Sequence, residues 1–535
     1  MDNSTQRNIP LWGWAAAVML MAAFFAIGWL LATPGGIPLP ESWAGIDKGL
    51  VREALDFDQA NPLLFNTGLF LLLFTLFIGI YQAASRWRIV KMLAVIAFSL
   101  YFYWKSSAGY CFILLGVCVF DYVLGWILGH TRPVAARKML VAVNVAVNVG
   151  MLVYFKYFNM LIEGFASITG RDFDAMDIIL PAGISFFCFR SISYIVDIYR
   201  RKLEPCTNLL DYIFFLTFFP PLLAGPVVRA VDMLPQIKAN NAATRAMVSE
   251  GLFLIICGLV KKVIVADYLS GNFVSRIFEN PSLYSGFENL MGAMGFSIQL
   301  YCDFSGYSDM AIGLALLMGF RFRDNFDSPF KSQNPTEFWR RWHISLSTWL
   351  RDYIYIPLGG NRKGKHRQRA NLMTTMAIGG LWHGASPMYI IWGVYNGGLL
   401  IAHKWLTKLM PAHPRLKNTR PAVTVNILVT LALTVLGFMF FRATSLENIW
   451  LMLKQIFTDF RPAAIPAFLS SYAIISALLC GAYLLHFMPR RLTDRVREAY
   501  GATPLAVQSL ILALVIFLVI QTRQSELVPF VYLQY

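Results

Sequence analysis

Long apolar runs, separated by short polar loops, recur along the whole chain. A run of about 20 residues is what an α-helix needs to cross the hydrocarbon core of a bilayer. The pattern predicts spans at residues 9–32, 65–84, 90–104, 110–129, 139–161, 178–198, 248–267, 292–320, 422–441, 467–487 and 504–521. We therefore expect an all-α polytopic membrane protein.

Two further apolar segments do not fit a simple span. Segment 211–230 is interrupted by several Pro and Gly residues, which predicts a re-entrant or broken helix buried inside the protein. Segment 336–360 mixes aromatic side chains with arginines, as an interfacial helix does. Neither segment is counted among the spans.

A third segment, 377–398, is apolar but rich in glycine, and basic residues flank it on both sides, at 361–369 and 403–420. A single crossing would leave one basic flank outside the cell. Basic loops of membrane proteins stay on the cytoplasmic side. A hairpin or broken pair that returns to the cytoplasm satisfies both flanks.

The other basic loops set the orientation of the chain. Applied to loops 85–91, 130–138, 199–205 and 490–497, the positive-inside pattern predicts a cytoplasmic N-terminus and an extracytoplasmic C-terminus. We divide the chain into an N-terminal extension (1–62) with one transmembrane helix and an extracytoplasmic loop, a core (63–521), and an extracytoplasmic tail (522–535).

Composition agrees with this picture. The 535 residues are 57% hydrophobic and 14% charged, whereas soluble domains have about 25% charged residues. The formal net charge of +16 lies mainly in the short loops, so it indicates topology and not nucleic-acid binding. Seven cysteines are scattered without a CxxC pair, as expected of small buried hydrophobes.

His383 differs from most of the seven histidines because it lies in the middle of an apolar segment. An ionisable group at membrane depth is costly and usually faces an interior cavity, and imidazole suits general acid–base work near neutral pH. A buried, neutral, hydrogen-bonded imidazole is the alternative. His343 lies about 40 residues away without an H-x-x-x-H pattern, so no metal site is predicted.

A polar island within span 292–320 is the other candidate for chemistry. Asp303, Ser305, Tyr307, Ser308 and Asp309 lie close together in an apolar context. Such a cluster either lines a cavity or holds helices together by polar contacts, and both alternatives stay open. The chain has no P-loop and no G-x-S-x-G motif, so ATP-driven transport and serine hydrolysis are unsupported.

Several blocks resemble one family. "FWRRWHISLSTWLRDYIYIPLGGNR" and "GGLWHGASPMYIIWGVYNG" are similar to the signature blocks of the membrane-bound O-acyltransferases. The similarity is to the bacterial branch of alginate O-acetylases, peptidoglycan O-acetylases and the teichoic acid D-alanylation protein. "LPAGISFFCFRSISYIVDIYR", "FFPPLLAGPVVR" and "YCDFSGYSDMAIGLALLMGF" match that branch as well. The resemblance covers residues 63–535, and the extension before it departs from the pattern.

The resemblance implies a ring of about 11–13 transmembrane helices, with re-entrant and interfacial helices, around a central tunnel in the bacterial inner membrane. It implies that His383 is the catalytic histidine and that His343 is a second catalytic position. We expect the tunnel to be lined by Asp303, Ser305, Tyr307, Asp309, Trp382 and Asn396.

The resemblance also implies the reaction partners. No cofactor and no metal is expected; acetyl-CoA or another thioester is the acyl donor. Expected partners are an extracytoplasmic SGNH-type acetyltransferase, polysaccharide synthesis and export proteins, and membrane lipid, but no nucleic acid.

The chain ends on Phe530-Val531-Tyr532-Leu533-Gln534-Tyr535, similar to the F-x-Y-x-x-F ending of this branch but with a tyrosine last. The resemblance implies that Tyr532 carries the acyl group. Eleven residues from Gln521 reach at most about 36 Å, whereas half the hydrocarbon core is about 15 Å. The tail could therefore reach His383. The alternative is an aromatic anchor at the membrane interface.

The sequence and the resemblance leave three candidate functions. The first is an O-acyltransferase that relays an acyl group, most simply acetyl, across the membrane to a surface polysaccharide, with D-alanyl transfer to teichoic acid and peptidoglycan O-acetylation as alternatives. The second is a transporter or flippase without acyl chemistry, which predicts an inverted repeat that the sequence does not show. The third is a lipid or protein acyltransferase of the same superfamily.

Overall fold

A computed structural model describes Phe57 and residues 62–170, 173–409 and 419–522. That part of the chain is built from helices and contains no strand, which confirms the all-α prediction. The predicted first span, most of the N-terminal extension and the tail from residue 523, with Tyr532, lie outside the described residues.

Helices in the first part of the chain lead from the start of the core to the polar island. They are α1 (Gly68–Ala83), α2 (Arg88–Ser107), α3 (Cys111–His130), α4 (Val134–Leu152), α5 (Phe158–Thr169), α6 (Ile184–Tyr199), α7 (Leu209–Thr217), α8 (Ala230–Ala239), α9 (Arg245–Leu259), α10 (Ser275–Glu279) and α11 (Gly286–Leu317).

The second part contains the two signature blocks. Its helices are α12 (Pro335–Arg341), α13 (Ile344–Leu350), α14 (Gly364–His383), α15 (Pro387–Leu409), α16 (Arg420–Arg442), α17 (Leu446–Thr458), α18 (Ile465–Ser471), α19 (Ala473–Phe487), α20 (Arg490–Ala502) and α21 (Leu505–Thr522).

Several stretches of the described chain are long and apolar enough to cross a membrane. Five stretches meet these criteria alone: Gly68–Arg86, Arg88–His130, Val134–Thr169, Arg420–Arg442 and Leu505–Thr522. The bent pair Pro462–Ser471 with Ala473–Phe487 could add a sixth. All overlap spans predicted from the sequence, so the protein is a multi-pass membrane protein. The closed ring of 11–13 helices around a tunnel stays a prediction.

Two predicted elements begin or end differently from expectation. The span expected at 178–198 becomes helical only at Ile184, because Gly183 adopts a left-handed conformation (φ 69°). A Cβ there would lie 2.4 Å from the carbonyl oxygen of Leu222, so the turn needs glycine. The predicted interfacial helix at 336–360 is divided into α12, α13 and a π-helical turn, Arg351–Tyr355.

The predicted break in segment 211–230 is confirmed. Helix α7 ends at Thr217, and the chain then runs without regular structure, yet buried, to α8. Side chains from distant elements satisfy its backbone: Phe219 N–H donates to Ser99 Oγ (3.2 Å) and Val227 N–H to Ser345 Oγ (2.9 Å). Irregular backbone is tolerated at this depth because protein surrounds it.

The hairpin predicted for segment 377–398 is also present, as the antiparallel pair α14 and α15. The two helices meet through glycines: a Cβ on Gly380 would lie 2.2 Å from Tyr389 O, and one on Gly393 2.5 Å from Met376 O. Small residues allow this close approach of two backbones. The chain reverses at Gly384, directly after His383.

Helices α9 and α11 pack in the same way. A Cβ on Gly258 would lie 2.6 Å from Gly306 O, and one on Gly251 would lie 2.8 Å from Gly313 O. Helix α11 is therefore held tightly beside α9, and its polar residues face the π-helical segment Val260–Asp267 that continues α9.

Candidate functional site

His383 is the last residue of α14 and is buried, with 4% of its surface exposed. Three aromatic rings surround its imidazole: Trp392 at 4.9 Å, Trp382 at 5.0 Å and Phe441 at 5.1 Å between ring centroids. The hairpin supplies Trp382 and Trp392, and α16 supplies Phe441. This cage limits the access of water to the ring and fixes its orientation.

The end of α14 is held by two side chains from the π-helical turn Val153–Tyr157. Lys156 Nζ donates to the carbonyl oxygens of Trp382 (2.7 Å) and His383 (3.1 Å), and Tyr157 Oη donates to Leu381 O (2.7 Å). These N–H and O–H donors satisfy the last carbonyls of the helix. π-turns inside α-helices frequently mark functional sites.

Lys156 was not among the site residues predicted from the sequence. The sequence did mark this residue, because a lysine inside the predicted span 139–161 is energetically costly unless it has a partner. The partner, a helix end from a distant part of the chain, was not visible in the sequence.

His343 lies close to His383 through a shared aromatic neighbour. It is fully buried, precedes α13 with a left-handed φ of 41°, and its ring meets Phe304 at 4.5 Å. Its centroid lies 6.0 Å from that of Trp382, which in turn contacts His383. The two histidines predicted as catalytic are thus brought into one cluster, although 40 residues separate them in sequence.

Asn325 fixes the tautomer of His343. Its Oδ1 accepts from the backbone N–H of Ser345 (3.2 Å) and from Ser345 Oγ (2.8 Å), and its Nδ2 donates to Ser308 Oγ (3.1 Å). Because a backbone N–H only donates, the atom facing it is an oxygen. The contact of 3.2 Å between that oxygen and His343 Nδ1 therefore requires a proton on Nδ1, which leaves Nε2 as the acceptor nitrogen of the ring.

Asn325→Ala is expected to lower the turnover of the membrane-reconstituted protein by about 10–100-fold, because the imidazole loses the partner that holds its tautomer and orientation. Asn325→Asp keeps the acceptor oxygen and should recover part of the rate. Asn289→Ala is the matched control, since Asn289 is also buried but bonds only loop and helix-end carbonyls. If all three variants lose turnover in proportion to lost stability, Asn325 has no orienting role.

An aromatic stack continues from Trp382 into the protein. The ring of Trp382 lies 5.5 Å from that of Phe189. Phe189 stacks in turn on Trp349 at 3.7 Å, and Trp349 Nε1 donates to Phe189 O (3.0 Å). The stack joins α6, α13 and α14. The position of Trp382 between the two histidines is therefore set by its packing against α6, which packs in turn on α13.

The carboxylates of the polar island are held in ion pairs. Lys262 Nζ lies 2.6 Å from Asp303 and 2.8 Å from Asp267, and Lys261 Nζ lies 2.6 Å from Asp309. These pairs join α11 to the π-helical segment Val260–Asp267, as the helix-gluing alternative expects. Their lining of a tunnel stays a prediction. Both lysines were missed, although adjacent lysines inside a predicted span are a clear signal.

The other predicted tunnel residues lie in different surroundings. Ser305 is buried, and the ring of Tyr307 stacks on Phe65 at 4.7 Å. Asn396 is buried and donates to Trp392 O (2.8 Å) within its own helix. Among the described residues, no three His, Cys, Asp or Glu side chains come together as a metal site requires.

Two cavities lie at opposite ends of α6, which is about 24 Å long. A cavity of about 370 Å³ lies at its start and reaches Lys156, Gly183 and Trp382. A second cavity, of about 300 Å³, includes Arg229 and Ser345. The second cavity belongs to the other end of α6, because Arg229 packs on Tyr353 (5.1 Å), whose hydroxyl donates to Asp197 near the helix end (2.7 Å).

The two cavities approach the histidine cluster from different sides. The first is bounded by Trp382 itself. The second is bounded by Ser345, which shares Asn325 Oδ1 with His343. Two separate cavities therefore lie beside the histidine cluster, and neither is lined by His343 or His383 itself.

The sequence is similar to a known protein family and to several of its relatives. Residues 203–446 match the model of the membrane-bound O-acyltransferase family. The chain is 41% identical over 405 residues to "Probable alginate O-acetylase AlgI" of Pseudomonas aeruginosa, covering 74% of this chain and 75% of the relative. It is 36% identical over 422 residues to a peptidoglycan O-acetyltransferase of Helicobacter pylori, covering 73% and 79%.

A more distant relative is a teichoic acid D-alanyltransferase of Bacillus subtilis, 29% identical over 271 residues, which covers 48% of this chain and 68% of the relative. The names of the three relatives give acetyl or D-alanyl as the transferred group, and alginate, peptidoglycan or teichoic acid as its acceptor.

Proposed function

The chain belongs to the membrane-bound O-acyltransferase family, and from that membership we propose that it transfers acetyl groups across the bacterial inner membrane for the O-acetylation of a secreted polysaccharide, most simply alginate. The observation that carries the proposal is the cluster of His383, Trp382 and His343 between two cavities at opposite ends of α6.

The donor is proposed to bind on the side of the second cavity. Four arginines line it, Arg229, Arg321, Arg323 and Arg351, together with three aspartates. Burial raises the pKa of Asp352, but hydrogen bonds from Arg351 and Arg229 outweigh this effect and the pKa is lowered overall. Asp352 therefore stays ionised and balances two arginines. Arg321 and Arg323 are exposed at the mouth, where each lies beside a carboxylate, Glu250 at 3.9 Å and Asp232 at 3.1 Å. Exposed ion pairs are weak, and the phosphates of an acyl-CoA are proposed to replace them.

His383 is proposed as the general base. It takes the proton of the Tyr532 hydroxyl, and the phenol oxygen attacks the thioester carbonyl carbon. The carbon–sulfur bond then breaks, the thiolate leaves, and His383 returns the proton to it as free thiol. A phenol with a pKa near 10 needs this help. The products are a thiol and an acetyl ester on Tyr532.

The aryl ester then delivers its acetyl group to a hydroxyl on the other side of the membrane, on the polymer or on an acetyltransferase partner. Phenol oxygen is a good leaving group, so this second step regenerates Tyr532 without another energy source. The first cavity, which opens beside Lys156 and Trp382, is the proposed access on that side.

The alternatives differ in acyl group and polymer. The relative named as teichoic acid D-alanyltransferase supports its alternative less strongly, because its identity to this chain is only 29%. The relative named as peptidoglycan O-acetyltransferase is 36% identical, as is the alginate O-acetylase of Pseudomonas putida, so the deletion experiment must separate these two. Family membership favours acyl transfer over a transporter or flippase. Lipid or protein acylation has no counterpart among the relatives described above.

Deleting the gene in its own bacterium and restoring it on a plasmid tests the proposal. We expect the acetyl esters of the secreted polysaccharide, measured by proton NMR after mild alkaline release, to fall to background and to return with the wild-type gene. Peptidoglycan acetylation and D-alanyl esters should stay unchanged. Loss of either of these in place of polysaccharide acetyl would assign the protein to the corresponding alternative.

A further inference from the structure

A groove of about 250 Å³ lies between the first turns of α14 and the last turns of α15, at the end of the hairpin opposite to His383. Four cationic side chains line it, and apolar side chains complete its wall: Lys365, Arg369, Lys404 and Lys408, with Leu372 and Trp405. We call this the basic groove. Neither the proposed reaction nor the family comparison uses it.

The cations of the basic groove lie close to one another. The neighbouring ammonium group of Lys408 lowers the pKa of Lys365, and Arg369 adds to the effect. In the part of the chain that the structure describes, no carboxylate forms an ion pair with any of the four. Like charges held together without a counterion repel one another.

The sequence around the groove provides no counterion. From Tyr353 to Leu446 the chain has eleven Lys and Arg residues and not one Asp or Glu, although acidic residues are frequent elsewhere. The topology of a hairpin requires only an excess of positive charge. A complete lack of acids over this length indicates a region that receives its negative charge from another molecule.

The start of α14 also lacks a negative charge. The N-terminus of a helix carries a partial positive charge, which favours acidic residues in the first turn. Here the first turn contains no acid, its N-cap Lys363 provides no side-chain hydrogen bond, and Lys365 lies within that turn. An anion bound in the groove would meet both the helix dipole and the side-chain cations.

The apolar wall identifies the kind of anion. Trp405 is 52% exposed, and Leu406 and Leu409 beside it are 42% and 56% exposed. Exposed Trp and Lys side chains together are typical of the lipid headgroup region. A free phosphate or the acidic surface of a soluble protein has no need of this wall, whereas a phospholipid has both a phosphate and acyl chains.

We propose that the basic groove binds the headgroup of an anionic phospholipid, with the phosphate between Lys365 and Lys408 and the acyl chains along Trp405. The bound phosphate would neutralise the repulsion between α14 and α15 and so stabilise the hairpin whose other end is His383. This site does not depend on which acyl group the protein transfers.

The test is lipid retention measured by native mass spectrometry of the full chain, released from phosphatidylcholine nanodiscs that contain phosphatidylglycerol. Each cation near a charged lipid surface contributes about a fivefold increase in binding. Lys365→Gln/Lys408→Gln is therefore expected to bind phosphatidylglycerol about 30-fold more weakly than wild type. The charge-preserving variant Lys365→Arg/Lys408→Arg should bind as wild type does.

The matched control is Arg132→Gln/Lys138→Gln, which removes two charges from exposed positions just before and within the first turns of α4. It should retain lipid as wild type does. Trp405→Ala keeps all charges and should weaken lipid retention by removing part of the apolar wall. This second variant tests the proposal even if the Gln variant does not fold. Equal retention by the Gln variant and wild type, an equal loss in the control, or equal binding of inorganic phosphate and lipid by the groove would each overturn the proposal.

Discussion

His383→Ala is expected to lower the rate of polysaccharide O-acetylation by about 10²–10⁴-fold, which is the usual contribution of a general base. The imidazole lies in an aromatic cage at the end of α14, and Lys156 holds its backbone carbonyl. The loss should therefore appear in turnover, with little change in the concentration of donor that gives half the maximal rate.

The measurement is transfer of isotope-labelled acetyl groups to polymer by cells that contain equal amounts of each variant in the membrane. His383→Gln fills most of the same volume and separates loss of the base from loss of packing. His366→Ala is the matched control, because His366 lies in the first turn of the same helix and is exposed. Retention of more than a tenth of the rate by both His383 variants would exclude a role as general base.

Tyr532→Phe is expected to reduce polymer acetylation to the level of cells without the gene. The change removes one oxygen and keeps the aromatic, apolar character of the tail. If the tail only anchors the chain at the membrane interface, a phenylalanine should serve as well as a tyrosine. If the phenol oxygen of Tyr532 carries the acyl group, the change removes the nucleophile.

Tyr535→Phe is the control that the sequence itself offers, three residues further along the same tail. It should retain nearly the full rate, because the proposed nucleophile is the hydroxyl of Tyr532. Acetylation measured by NMR on purified polymer checks both variants. Equal rates for the two phenylalanine variants and wild type would leave the interface anchor as the role of the tail.

Much of the architecture follows from hydrophobic patterning. The hairpin α14–α15 was predicted because a single crossing would place basic residues on both sides of the membrane, and the break after α7 was predicted from its prolines. The delayed start of α6 was not predictable, since it depends on contact between Gly183 and the backbone of Leu222, about 40 residues away. Long-range backbone contacts leave no local pattern.

The site residues also divide into those that the sequence predicted and those that only the fold identifies. His383 was marked by its membrane depth, and the family blocks added His343 and Trp382. Asn325 carries no such mark, because it is a common loop residue, and only the fold brings it to His343. Lys156 was present in the pattern as a charge inside a span, but its role as a cap of α14 required the three-dimensional arrangement.

The measurement that tests the central claim most directly is the mass of the C-terminal tryptic peptide, Gln524–Tyr535, after the purified membrane protein is incubated with acetyl-CoA and quenched in acid. Wild type should carry one acetyl group, located on Tyr532 by fragmentation, and His383→Ala should carry none. An unmodified peptide in wild-type protein that acetylates polymer at its normal rate would contradict the relay through Tyr532.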